Sequence, residues 1–319
     1  MIKISIIIPC YNLGEYIKPC LESIKQQKIG EVEYIFVNDG STDDTLRNIQ
    51  DFCEGKHYCK VLDQSNAGVS AARNSALMIA AGEYVYLLDG DDILTENAVE
   101  KMLTAVEKSD CDAVLSDGII LKNNKEKSLP LPLSDGIYTP VELYKAVKVF
   151  PTIPQLLYKR DILEKQNLRF DTNLKYGEVY DFTIRFFCFS TRIKIVSQSY
   201  FKYVMRKESA SHTPNYQKDL SVIETLKKYN KVGIQFSSFS SFNTTTFKMI
   251  MAFTYNKYVK LKLTNEDALR NIKKLLKDPE VKALIKKIAN SSSSIKERIL
   301  AMYVLKTGVN GYRLLTHII

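Results

Sequence analysis

Over its first 120 residues the chain alternates short β-branched runs with segments of helical period, and this alternation constrains the fold more than any other feature. Residues 3–9, 32–37, 60–63, 83–88 and 113–121 read as strands. Between them, residues 15–27 carry Ile17, Leu21 and Ile24 at helical spacing. A second helix is expected from a Ser41 or Thr42 cap to Phe52, with Asp43 and Asp44 in its first turn. The Ala-rich residues 69–81 and residues 96–108 complete the helices. A repeated β–α alternation of this kind predicts an α/β domain built on a mostly parallel central sheet.

From 122 to 155 the periodicity fades into polar residues and prolines, which read as exposed turns and loops. Residues 177–189 regain a helical, strongly aromatic pattern. Two regions are expected, 1–220 and 221–319, because the charge divides there. The chain carries a net +9, yet the first region has a net charge of −3 and the second +12. A basic, lysine-rich helical region suits an anionic partner, whereas the first region can hold a cation. With 319 residues, 45% hydrophobic and 25% charged, the chain is globular rather than disordered or collagen-like. No run of 18 apolar residues is present to span a bilayer. Residues 1–9 lack a signal peptide's basic start and small-residue cleavage site, and are expected to form the first strand. Six scattered cysteines without a C-x-x-C pair, and three histidines, set zinc aside and suggest reduced thiols.

In a parallel α/β sheet, ligands bind at the carboxyl ends of the strands. Three polar clusters fall there: Pro9-Cys10-Tyr11-Asn12, Asn38-Asp39-Gly40-Ser41 and Asp89-Gly90-Asp91-Asp92. Asp39-Gly40-Ser41 alone could be only a turn with a helix cap. The third cluster demands more, because three carboxylates within four residues repel one another unless solvent or a cation screens them. Hard oxygen ligands beside a crevice suit Mg²⁺ or Mn²⁺ with phosphate as co-ligand.

These motifs, with Asn66-Ala67-Gly68-Val69-Ser70-Ala71-Ala72-Arg73-Asn74 and Ala81-Gly82-Glu83-Tyr84, stand in the order and spacing of a known family. The run from Ile4 to Asp92 resembles a family 2 glycosyltransferase of the GT-A fold, of the bacterial cell-surface polysaccharide type. The middle, to about 213, matches loosely, and the last hundred residues do not define the family. The resemblance implies that Pro9, Tyr11 and Asn12 frame the nucleotide, Tyr11 stacking on the base and Asp39 accepting a hydrogen bond from uracil. Asn66 and Gly68 would line the nucleotide-sugar site, and Arg73 would help hold the nucleotide and the strand-end carboxylates. Asp89, Gly90 and Asp91 form the D-x-D, Asp89 toward ribose or metal and Asp91 the main ligand of Mn²⁺ or Mg²⁺. Asp92 would lie near the donor sugar. Asn38 replaces a frequent aspartate. Where the family usually carries a Glu-Asp pair holding the base, this chain has Glu178-Val179, and Asp181 follows one turn on. Either Asp181 or Glu178 can serve as base, with Asp181 preferred. Arg206, Lys207 and His212 could contact phosphate or metal, although a solvated basic loop is the first reading for any one of them.

The implied activity is inverting, metal-dependent transfer of a sugar, hexosyl or N-acetylhexosaminyl, from a nucleotide donor, a UDP-sugar first of all. The acceptor would be a hydroxyl on a saccharide or lipid-linked saccharide, and the setting cytoplasmic, peripheral on the inner membrane face. A donor-binding or assembly subunit without a base is the alternative that Val179 raises. A sugar-nucleotide pyrophosphorylase would need a Gly-rich basic loop after the first strand, which Cys10-Tyr11-Asn12-Leu13-Gly14 is not. The basic end of the chain either docks at anionic lipid or packs as a helical bundle on the catalytic domain or in a homo-oligomer, lysines outward. No nucleic-acid-binding signature is present.

Overall fold

The computed structural model describes residues 2–27, 30–146, 155–174, 177–205, 277, 279–291, 302 and 306. The chain divides into two compact units, Met1–His212 and Thr213–Ile319. The expected boundary at 220/221 lies outside the described residues, as do Arg206, Lys207 and His212.

The first unit is ordered around β1 (Ile4–Cys10), all seven residues of which are buried. β2 (Val32–Asp39) pairs parallel with β1 on one side, and β3 (Cys59–Gln64) extends the sheet beyond β2. The helix α3 (Val69–Ile79) then carries the chain back across β1, and β4 (Tyr84–Leu87) pairs parallel on the other side. The chain reverses direction across the sheet between β1 and β4, which is where α/β sheets open a ligand crevice. α1 (Lys18–Lys25), α2 (Thr45–Cys53) and α4 (Ala98–Glu107) pack their apolar faces on this core through Leu21, Ile24, Ile49 and Met102.

Beyond β4 the sheet becomes mixed. Its order is β3-β2-β1-β4-β9-β6-β10-β5. β9 (Leu156–Lys159) lies antiparallel between β4 and β6 (Ala113–Lys122). β6 is parallel to β10 (Ile193–Val204), which pairs with the short β5 (Ile93–Leu94) and with β8 (Gly136–Tyr138). The α/β architecture is therefore as expected, with antiparallel strands added in its second half.

Two local expectations differ. Ser41 and Thr42 do not cap α2, which begins at Thr45 behind Asp44. The Ser41 Oγ and the Thr42 amide are used instead to hold Asn12. The stretch after 122 is not all loop. Asn123 and Asn124, at φ 48° and 58°, turn β6 into the antiparallel β7 (Lys125–Leu129), the conformation that a two-residue hairpin needs. α5 (Pro140–Ala146) follows β8. Its start is a capping box: the Thr139 Oγ1 accepts from the Glu142 amide, and Glu142 Oε2 accepts from the Thr139 amide. α6 (Arg160–Lys165) and α7 (Glu178–Phe187) close this unit.

In the second unit, α8 (Pro279–Ser291) buries Ile285 and Ala289, one turn apart, and exposes Lys282 and Lys286. This is the amphipathic pattern expected of the lysine-rich region. Among the described residues no helix is long and apolar enough to cross a membrane.

Candidate active site

At the end of β1 the chain turns outward. Pro9 and Cys10 are still buried and in register with β2, whereas Tyr11, the next residue, is 51% exposed. Asn12 takes a left-handed φ of 48° and is fixed from the β2 side. Its amide donates to Ser41 Oγ (3.0 Å) and its Oδ1 accepts from the Thr42 amide (2.8 Å). Thr45 Oγ1 accepts from the Leu13 and Gly14 amides at 2.7 and 2.9 Å. Thr45, buried at the start of α2, is thus a site-shaping residue that motif reading missed.

Asp39, at the end of β2, is 2% exposed. Its Oδ1 accepts from Gln64 Nε2 (2.7 Å) and the Ala67 amide (2.9 Å), and its Oδ2 from the Gly68 amide (2.8 Å). Asn66 Nδ2 donates to the Asp39 carbonyl (2.9 Å). Three of the roughly four acceptor positions of a carboxylate are therefore occupied by the chain itself. The same motif pair explains two glycines. Gly40 has φ +70° and a Cβ there would lie 2.6 Å from the Asn66 nitrogen; Gly68, at φ +89°, opens α3. Asn66 and Gly68 remain exposed at the rim.

The acidic cluster lies at the end of β4. Asp89 and Asp92 are joined by a turn in which the Asp92 amide donates to the Asp89 carbonyl (2.9 Å). Gly90 sits against β1, where a Cβ would meet Leu13 Cδ1 at 2.6 Å and Cys10 Sγ at 3.0 Å. Asp89 and Asp91 are half-buried, whereas Asp92 is 1% exposed. Asp92 Oδ1 accepts from the Val204 amide (3.0 Å), so this carboxylate ties the turn to the end of β10. Burial, then the neighbouring Cys20, Asp91 and Asp89, push the Cys10 thiol well up, so this cysteine is inert despite its place in the motif.

Arg73 of α3 is the cation of the site. It is 3% exposed, and its Nη2 donates to Asp89 Oδ1 (2.9 Å) while its Nη1 donates to Glu178 Oε1 (3.3 Å). Its guanidinium lies 5.3 Å from the centroid of the Phe170 ring. Its buried Nε has no hydrogen-bond partner among the described residues. Glu178 is the first residue of α7, behind Gly177 at φ +81°.

Arg73 thus brings Glu178 to the acidic strand end, whereas Asp181 is ion-paired with Arg185 of its own helix. Asp181 is fully buried, and its Oδ2 accepts from Arg185 Nε (2.7 Å) and Nη2 (2.5 Å). One turn of helix separates the two carboxylates in sequence, but they serve different partners. The expectation named Asp181 first; we propose Glu178 instead, because Asp181 has no solvent-accessible surface in this arrangement whereas Glu178 faces Arg73 at the strand end.

The described residues contain no cluster of three or more side chains able to ligate a metal. Asp89 and Asp91 nevertheless fit Mg²⁺ or Mn²⁺, which are typically held by one or two carboxylates with water and substrate phosphate completing the shell.

Residues 5–165 match the sequence profile described as Glycosyl transferase family 2, half of the chain. The chain belongs to glycosyl transferase family 2. It is 26% identical over 218 residues to the uncharacterized glycosyltransferase EpsJ of Bacillus subtilis, spanning 66% of this chain and 63% of that protein. It is 26% identical over 220 residues to TarS of Staphylococcus aureus, named a poly(ribitol-phosphate) beta-N-acetylglucosaminyltransferase, spanning 68% of this chain and 38% of that protein. The crystal structure of TarS residues 1–349 superposes with a TM-score of 0.75 at 20% identity, over 99% of this chain and 90% of that one. Its complex with UDP-GlcNAc gives 0.71. The mannosyltransferase PcManGT of Pyrobaculum calidifontis, with GDP-Man and Mn²⁺, gives 0.54 at 18% identity, over 99% of this chain and 83% of that one. These likenesses establish the expected GT-A fold.

Proposed function

We propose that this chain is an inverting, metal-dependent glycosyltransferase that moves a sugar from a UDP-sugar to a hydroxyl on a saccharide or lipid-linked saccharide in surface polysaccharide synthesis. The observation that carries this reading is the Arg73 bridge, which joins the D-x-D carboxylate Asp89 to Glu178 at the β1/β4 crevice. Mn²⁺ or Mg²⁺, held by Asp89 and Asp91, would neutralise the diphosphate leaving group as a Lewis acid. Tyr11 offers a stacking face to the base, and the Asp39-anchored loop of Asn66 and Gly68 borders the nucleotide. The fourth acceptor position of Asp39 is the one left for a uracil N–H.

Glu178 acts as general base. It takes the proton from the acceptor hydroxyl while that oxygen attacks the anomeric carbon and the nucleotide departs from the opposite face. One in-line displacement inverts the configuration, and no protein nucleophile takes part. The UDP and UDP-GlcNAc complexes of TarS, a fold relative, support a uridine nucleotide as donor. The setting we propose is cytoplasmic, with the basic second unit peripheral to an anionic membrane face or packed in a homo-oligomer.

A panel of nucleotide sugars tests this reading, with thermal stabilisation and UDP release as readouts in the presence of Mn²⁺. A ligand stabilises only the state that it binds. Stabilisation and slow UDP release by one or more UDP-sugars is expected. Stabilisation by no nucleotide sugar would overturn the proposal, and binding without transfer to any offered acceptor would favour the donor-binding subunit that Val179 raises.

A further inference from the structure

The segment after α6 passes beneath Arg73 and is held from two helices at once. Asn74, the residue next to Arg73 on α3, grips the main chain of Phe170 on both sides. Asn74 Nδ2 donates to the Phe170 carbonyl (2.9 Å), and the Phe170 amide donates to Asn74 Oδ1 (2.8 Å). From α7, Arg185 Nη2 donates to the Arg169 carbonyl (2.6 Å) while the same guanidinium holds Asp181. The Phe170 ring lies between the two helices. It is stacked on Phe182 of α7 with centroids 4.0 Å apart and planes 5° from parallel, and Arg73 rests over it. Phe182 is one helical turn from Glu178, and it packs edge-on against Tyr158, whose hydroxyl meets Thr183 Oγ1 at 3.0 Å.

An amide side chain that satisfies both main-chain groups of one residue fixes that residue's position and direction, as a strand partner would. Fixing Phe170 fixes the stacking surface of Phe182, and so the first turn of α7 that carries Glu178. We infer that Asn74 is a positioning residue for Glu178: it docks Phe170 so that α7 presents its first carboxylate to Arg73 and the crevice. Asn74 touches neither donor nor acceptor in this scheme. The inference rests on Glu178 being the base.

The test is a double-mutant cycle of N74A and E178Q with turnover, UDP affinity and hydrogen exchange as readouts. N74A should lower kcat about 10- to 100-fold, the scale of a misplaced catalytic group, with the Kd for UDP within about twofold. In the E178Q background the same change should alter the residual rate less than about twofold, because residues acting as a unit are not additive. Amides in the first turn of α7 should exchange faster in N74A, and those of α3 should not. Equal losses in both backgrounds, or unchanged exchange in α7, would overturn the role of Asn74 and leave the base assignment standing. Wild-type turnover in E178Q would overturn the base assignment and this inference with it. Should the residual rate of E178Q fall below detection, the exchange measurement decides. Should N74A not fold, N74D, which keeps the acceptor for the Phe170 amide, is read in the same way.

Discussion

Arg73 shows how one side chain organises a polar site. Buried guanidinium groups need partners, and the two supplied here, Asp89 and Glu178, come from the end of a strand and the start of a helix. The pairing separates the two candidate bases chemically. E178Q should lower kcat by about 10² to 10⁴, the usual worth of a general base, and leave UDP affinity unchanged. D181N should instead cost about 1–3 kcal/mol of stability in a denaturant titration and reduce turnover less than tenfold, because its charge-assisted bonds to Arg185 are structural. The reverse pattern would restore Asp181 as base. Gly90 is a second residue fixed by contact rather than by backbone angle. G90A should cost about 1–3 kcal/mol through overpacking against Leu13 and Cys10, and should weaken metal-dependent UDP binding by displacing Asp89 and Asp91. A stable G90A with normal UDP binding would show that the β4 end can shift.

Elements were legible in the sequence where local rules and tertiary demands agree. The runs at 4–10, 32–39 and 84–87 are strands because β-branched and aromatic residues there are buried on both faces of a parallel sheet. The strand-end motifs were readable because topology places them together at the β1/β4 reversal. The hairpin at Asn123-Asn124 and the capping box Thr139-Pro140-Val141-Glu142 carry local signals too, but both lie in a polar, proline-rich stretch that reads as loop. The start of α2 and the second partner of Arg73, Glu178, were not readable, although the hold of Arg73 on a strand-end carboxylate was. Asn12 competes for Ser41 and Thr42, and Glu178 lies 105 positions from Arg73, so neither contact has a local signature. Glu33 makes a comparable tertiary tie among strands. Its Oε1 accepts from Ser5 Oγ (2.6 Å) and the Ala81 amide (2.7 Å), and Lys60 Nζ lies 2.6 Å from its Oε2. Burial pushes this carboxyl up, but the bonds from Lys60, Ser5 and Ala81 more than reverse that and hold it below its ordinary 4.5. A carboxyl lowered on folding stabilises above its unfolded value, and the contribution is lost as pH falls through the lower folded value. Unfolding free energy should therefore drop below about pH 4.5, and E33Q should show a shallower acid limb. An identical acid limb in E33Q would remove Glu33 from the account.

At the scale of the whole molecule, charge and chemistry are partitioned. The slightly acidic first region concentrates carboxylates at one sheet edge, and residues 221–319 hold a net charge of +12. In α8, Lys282 and Lys286 are exposed while Ile285 and Ala289 are buried, which suits a surface attracted to anionic lipid. Sedimentation with phosphatidylglycerol vesicles should show binding at low ionic strength that is lost at high salt. No binding at low salt would assign the lysines to an ordinary wet face. Whatever the second unit contacts, the proposed transfer has the first unit grip a diphosphate at the end of β4. The most direct measurement is calorimetry of UDP binding with Mn²⁺ and with EDTA, in the wild-type chain and in D91A. Binding that needs Mn²⁺ in the wild type and is absent in D91A is the expected result. UDP affinity equal in EDTA and Mn²⁺, or untouched by D91A, would contradict a metal-bridged donor site.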